Sequence, residues 1–148
     1  MSATKELQVL LAEDNAADVL LLKEGLSTCA PCRFTVIGNG DQVFEFLNRC
    51  TGRESEGRPD LIVLDLNLPG RDGIQVLNFI RGHAEFKDMV VAVVSSSPEY
   101  MIRQYAGKAD CYIIKPSDLE EFLAIGRTLV DCFDRCQQTR RQSAGSDR

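Results

Sequence analysis

Residues 61–73 read LIVLDLNLPGRDG: four apolar side chains in unbroken succession, an aspartate that closes them, and a turn around Leu68-Pro69-Gly70. A strand with one face in water alternates apolar and polar residues. A strand apolar at every position is covered on both faces, which is the pattern of central strands in a parallel sheet. Two more runs share it: VLLA, within Leu7 to Ala12, and VVAVVS, from Val90 to Ser95. Weaker runs lie at Arg33 to Gly38 and Cys111 to Ile114. The spacing between them predicts helices from about Ala16 to Leu26, Asp41 to Asn48, Asp72 to Arg81, Glu99 to Ala106 and Asp118 to Cys136. In the last, Leu119, Phe122, Leu123, Leu129, Val130 and Phe133 recur at three- and four-residue steps along one stripe. Five strands alternating with five helices predict an α/β fold: a doubly wound, five-stranded parallel sheet with right-handed crossovers.

At 148 residues and 44% apolar composition, the chain supports one sizeable core, here assigned to residues 1–136. The remaining QQTRRQSAGSDR, residues 137–148, reads as a flexible polar tail. That tail is too short for a DNA-binding output domain, which needs roughly 60 to 100 residues. A formal charge of −5 offers no general basic surface to nucleic acid. No stretch approaches the roughly 18 apolar residues that span a membrane, and no secretory leader is evident. A soluble, cytoplasmic, single-domain protein is expected, with its six cysteines reduced.

Open parallel sheets bind ligands at the carboxyl ends of their strands. Here the first strand ends in Glu13-Asp14-Asn15, the third in Asp65, the fourth in Ser95 and the fifth in Lys115-Pro116. Each piece alone has a structural reading. Asp14 or Asn15 suits a helix N-cap, Asp65 opens a turn, and Lys-Pro enters a loop. Together they bring three carboxylates, a hydroxyl and an ammonium to one sheet edge. Carboxylates so crowded repel unless a cation or proton compensates, and an all-oxygen donor set suits magnesium better than zinc. One carboxylate is then free to act as a nucleophile toward phosphorus, with magnesium, lysine and hydroxyl neutralising the phosphoryl oxygens.

The combination LAEDN, LIVLDLNLPGRDG, VVSSS and YIIKP resembles the chemotaxis-type receiver domain of bacterial two-component systems, from about Leu7 to Phe133. The resemblance implies a flavodoxin-like fold in which Asp65 accepts phosphate from a sensor histidine kinase. It implies that Asp14 and Asp65 bind magnesium directly, Glu13 through water, and Asn67 by its main-chain carbonyl. Lys115 then pairs with a phosphoryl oxygen, and Ser95, standing where Thr is commoner, turns its hydroxyl toward the phosphate on activation. Tyr112 matches the family's switch aromatic, whose ring moves inward and alters the face formed by the fourth helix, fifth strand and fifth helix. The same likeness implies a cis Lys115-Pro116 bond. Within receivers, DLNLPGRDG and the long segment before the third strand resemble small regulators paired with phytochrome-type sensor kinases. Those relatives often dimerise, so a homodimer is expected, with no DNA or membrane partner.

Cys29-Ala-Pro-Cys32 follows a helix and precedes a strand, the reverse of a thioredoxin-type redox pair. If the first and last helices pack side by side, Cys132 and Cys136 approach it. Four thiolates there would suit zinc, although buried free cysteine is the ordinary outcome. His83 reads as a loop residue, and as the single histidine it gives no support to a phosphohistidine relay. Two rivals remain. A phosphohydrolase working through an aspartyl phosphate needs a proton-transfer group beside the nucleophile, and in the haloacid dehalogenase-like pattern that is an aspartate where Asn67 stands. An interaction module keeping only the fold would not need Asp14, Asp65 and Lys115, and all are present. The balance is a phosphoacceptor with slow self-hydrolysis rather than a turnover enzyme.

Overall fold

The computed structural model describes residues 5–51, 57–98 and 107–146, with the side chains of 143–146 left aside. Its elements run β1 (Leu7–Ala12), α1 (Ala16–Cys29), β2 (Cys32–Ile37), α2 (Gly40–Cys50), β3 (Leu61–Leu64) and α3 (Gly73–Arg81). A 3-10 turn (Ala84–Phe86), β4 (Val90–Ser95), β5 (Cys111–Ile114), α4 (Leu119–Leu123) and α5 (Ile125–Ser146) follow. The helix expected at 99–106 lies outside the described residues. All pairings are parallel and the strand order is β2-β1-β3-β4-β5.

The unbroken apolar runs split by the two-residue period of a strand, each alternate set feeding one face. Leu7, Val9, Leu11, Leu61, Val63, Val90, Ala92 and Val94 pack with Leu22, Leu26, Phe122, Ile125 and Leu129 of α1, α4 and α5. Leu10, Ala12, Ile62, Leu64 and Val91 pack with Val43, Leu47, Val76, Leu77 and Ile80 of α2 and α3. At roughly 1.5–3 kcal/mol for each fully buried large aliphatic side chain, both layers contribute substantially to stability.

The helix starts are fixed by side chains that the sequence supplies at the right places. Asn15 accepts from the backbone N–H of Asp18 at 3.0 Å, Asp72 from Gln75 at 2.9 Å, and Asp118 from Glu120 at 2.7 Å. Asn39 accepts from the N–H groups of Asp41 and Gln42 at 2.8 and 3.3 Å. Helices α1 and α5 do lie side by side, and glycine makes the approach possible. A Cβ on Gly126 would sit 2.2 Å from the backbone carbon of Gly25.

Two expectations need correction. The last helix breaks after Leu123 and then runs on through polar residues to Ser146, well past Cys136. Its apolar stripe ends there, but Gln and Arg favour the helix intrinsically, and Arg140 ties it down by donating to Asp88 O at 2.8 Å. No cis peptide bond occurs among the described residues, so Lys115-Pro116 is trans. Trans is the default for X-Pro by about 0.5–1 kcal/mol. In that geometry the Lys115 ammonium already reaches its carboxylates.

Candidate functional site

The parallel register brings the strand ends level. Ala12 pairs with Leu64, Ser95 pairs with Ile114, and Asp65 N–H donates to Ala12 O at 3.0 Å. Glu13 and Asp65 therefore leave the adjacent strands β1 and β3, and Lys115 leaves β5 two strands further on, all at one edge of the sheet. They line an open cavity of about 550 Å³ together with Asp14, Asp18 and Asn67. The triplet Glu13-Asp14-Asn15 divides its labour. Asn15 caps α1, Glu13 is buried at 3% exposure, and Asp14 faces solvent.

One oxygen from each of Glu13, Asp14 and Asp65 lies within 4.8 Å of the others, the only such cluster of possible metal ligands among the described residues. The donors are all carboxylate, so the cluster fits a hard divalent cation. The Lys115 ammonium donates to Glu13 Oε2 at 2.9 Å, Asp18 Oδ2 at 2.9 Å and Asp65 Oδ2 at 3.1 Å. The other Asp65 oxygen accepts from Asn67 N–H at 3.0 Å.

Burial, followed by the hydrogen bond to Asp65, pushes the Glu13 carboxyl up to about 7, so near neutrality it holds a proton part of the time. Burial also disfavours the charged form of Asp65, but hydrogen bonds from Glu13, Asn67 N–H and Lys115 outweigh it and hold that carboxyl below its usual range. Lys115 is likewise disfavoured by burial, and Asp18, Glu13 and Asp65 more than compensate, so it stays charged. The acceptor candidate is thus an anion, its neighbour a part-time acid, and the lysine a fixed cation.

Ser95 and Tyr112 do not point into this cluster. Ser95 is fully buried, and its hydroxyl donates to Ser97 Oγ at 3.1 Å. Ser97 also accepts from Asn67 Nδ2 at 3.1 Å, tying the β4 loop to the loop after Asp65. The Tyr112 hydroxyl accepts from Ala109 N–H at 3.1 Å, and its side chain packs against the cluster of Leu66 and Val93. The sequence reading overlooked Asp18 and Ser97. An acid in a helix's first turn is ordinary, and one serine among three carries no distinguishing signal.

A four-thiolate zinc site is absent among the described residues. Cys132 instead shares the α1–α5 core layer with Cys111 at the start of β5, and Cys29, Cys32 and Cys136 pack against the same layer.

The family model for the response regulator receiver domain matches residues 9–126. The chain belongs to that family. Among its relatives, the response regulator Rcp1 of Synechocystis sp. is 34% identical over 116 residues, covering 76% of this receiver and 79% of Rcp1. The phosphorylated cyanobacterial phytochrome response regulator RcpA superposes with a TM-score of 0.73 at 31% identity, over 84% of this receiver and 91% of RcpA. The Mn(2+)-bound form of Rcp1 gives 0.71 at 32% identity, over 82% of this receiver and 89% of that chain. Other relatives are longer: the receiver spans 50% of the probable C4-dicarboxylate response regulator DctR of Bacillus subtilis. Membership makes the chain a phosphoacceptor of two-component signalling, whose partner is a histidine kinase. No helix among the described residues is long and apolar enough to cross a membrane.

Proposed function

We propose that Asp65 is the phosphoacceptor, that Glu13, Asp14, Asp65 and the Asn67 carbonyl hold magnesium, and that a phytochrome-type sensor kinase supplies the phosphoryl group. The observation that carries this reading is the contact of Lys115 Nζ with Asp65 Oδ2 at 3.1 Å inside a three-carboxylate cluster. In the transfer, an Asp65 carboxylate oxygen forms a bond to phosphorus as the bond from phosphorus to the donor's leaving group breaks. Lys115 exchanges its contact with Asp65 for one with a phosphoryl oxygen. A bound divalent cation supplies charge neutralisation for the same group. The Asn67 carboxamide is neither a general acid nor a general base, so water beside the acyl phosphate meets no proton acceptor from that position and hydrolysis is slow.

Signalling follows from the groups that now face elsewhere. Ser95 leaves Ser97 for a phosphoryl oxygen, and Tyr112 leaves Ala109 N–H to fill the space behind it, reshaping the surface around β5. The likeness to the cyanobacterial phytochrome response regulator RcpA supports the phytochrome assignment, and a homodimer through the β5–α5 side completes the reading.

Incubation with acetyl phosphate and magnesium chloride, followed by intact mass, tests the core of it. Wild type should gain one phosphoryl adduct and Asp65→Asn none. An unmodified wild type, or an equally modified variant, rejects Asp65 as the acceptor.

A further inference from the structure

An ammonium has three N–H donors, and in Lys115 each finds a different carboxylate. Two of these, Glu13 and Asp65, belong to the cluster that fits a cation. Asp18 does not. A cation drawn into that cluster competes with the ammonium for Glu13 and Asp65 and repels it across a few ångströms. With no further anchor, loading the cluster would displace the lysine that the transfer needs.

Asp18 is built to hold it. The residue stands in the first turn of α1, where its N–H is fixed by the Asn15 side chain at 3.0 Å. Its carboxylate sits 2.9 Å from Nζ, with side-chain exposures of 11% for Lys115 and 20% for Asp18. This is more enclosed than the surface ion pairs that contribute almost nothing. Resting on the reading of Asp65 as acceptor, we propose that Asp18 is a positioning residue that keeps Lys115 at the acceptor while a cation occupies the acid cluster. The ammonium and the cation can then act on one phosphoryl group together.

The competing account makes Asp18 an ordinary acid complementing a helix N-terminus. As one more negative charge near an anionic phosphodonor, it would then slow transfer. The two accounts predict opposite signs.

The test measures acetyl phosphate labelling of the full chain at saturating magnesium for wild type, Asp18→Asn, Asp18→Glu, Lys115→Gln and the Asp18→Asn/Lys115→Gln double variant. Asp18→Asn should be slower by roughly tenfold, the scale of one charge-assisted hydrogen bond. Asp18→Glu should recover most of the rate, and the double variant should be no slower than Lys115→Gln. A second readout needs no phosphodonor. The Lys115 side-chain ammonium resonance, assigned by its loss in Lys115→Gln, should persist through a magnesium titration of wild type and broaden away in Asp18→Asn. An Asp18→Asn protein that labels as fast as wild type, a tenfold loss that persists without Lys115, or an unchanged resonance overturns this inference alone. A wild type that takes no adduct overturns the acceptor reading and this inference with it.

Discussion

The two ends of the sheet both carry aspartates, and they are handled in opposite ways. At the amino end, each carboxylate has partners of its own. Asp60 Oδ2 accepts from Gln8 N–H at 2.9 Å, and Asp110 Oδ2 accepts from Val91 N–H at 2.9 Å and from Arg81 Nη2 at 3.0 Å. Arg140 stands 3.8 Å from the other Asp110 oxygen. At the carboxyl end, Glu13, Asp18 and Asp65 share the single ammonium of Lys115, and Asp14 joins the crowd. A charge satisfied by its immediate neighbours stitches strands together. Negative charge concentrated beyond its local compensation is poised for a cation and a reacting group.

The contrast breaks most visibly at Lys115. Replacing it with Gln should slow acetyl phosphate labelling by about 10²-fold, the usual cost of losing one preorganised charge-stabilising donor. Intact-mass time courses would show it, and a loss under threefold would mean that the ammonium only balances charge. Asp110→Ala probes the other end. It strands the buried Val91 N–H and frees Arg81, which should cost about 1–3 kcal/mol in urea unfolding. Labelling of the folded variant should stay within about twofold of wild type; a large drop would erase the division between stitching end and reacting end.

The smallest effect is a slope in pH. The Glu13 carboxyl stands near 7 in the folded chain against an ordinary 4.5, so between these values the native state keeps a proton that the unfolded chain loses. Its contribution to stability is therefore full below about pH 4.5 and declines as pH rises through 7. Asp65 is shifted the other way, and its contribution is lost only in acid, below that window. Without magnesium, the melting temperature of wild type should fall from pH 5 to 7.5 relative to Glu13→Gln. Magnesium must displace the Glu13 proton below 7, so it should raise the melting temperature more at pH 8 than at pH 5.5. A magnesium effect independent of pH would show that Glu13 is already ionised.

Much of this was readable beforehand because the relevant physics is local. LIVLD, short, β-branched and closed by a turn, fits a doubly covered strand, and the polar residues closing each run arrive at the same edge once the strands are parallel. The caps Asn15, Asn39, Asp72 and Asp118 are residues of the expected type at the expected offsets. The misses share a cause. Asp18 found Lys115 across 97 positions and Asn67 found Ser97 across 30, and no local rule selects such partners. The continuation of α5 to Ser146 is accompanied by Arg140 reaching Asp88, 52 residues earlier, and the cysteines of distant elements meet in the α1–α5 core layer.

By itself the sequence determined the layered α/β architecture, the family and the edge where the chemistry sits, because strand periodicity and the order of strand-end residues are properties of the chain. Only the tertiary structure decided how charge is apportioned at that edge: which oxygen of Asp65 faces Lys115, that burial raises the Glu13 carboxyl while hydrogen bonds lower Asp65, and that Asp18 joins Lys115. Those outcomes depend on distance and burial, which are set by packing strands and helices far apart in the sequence.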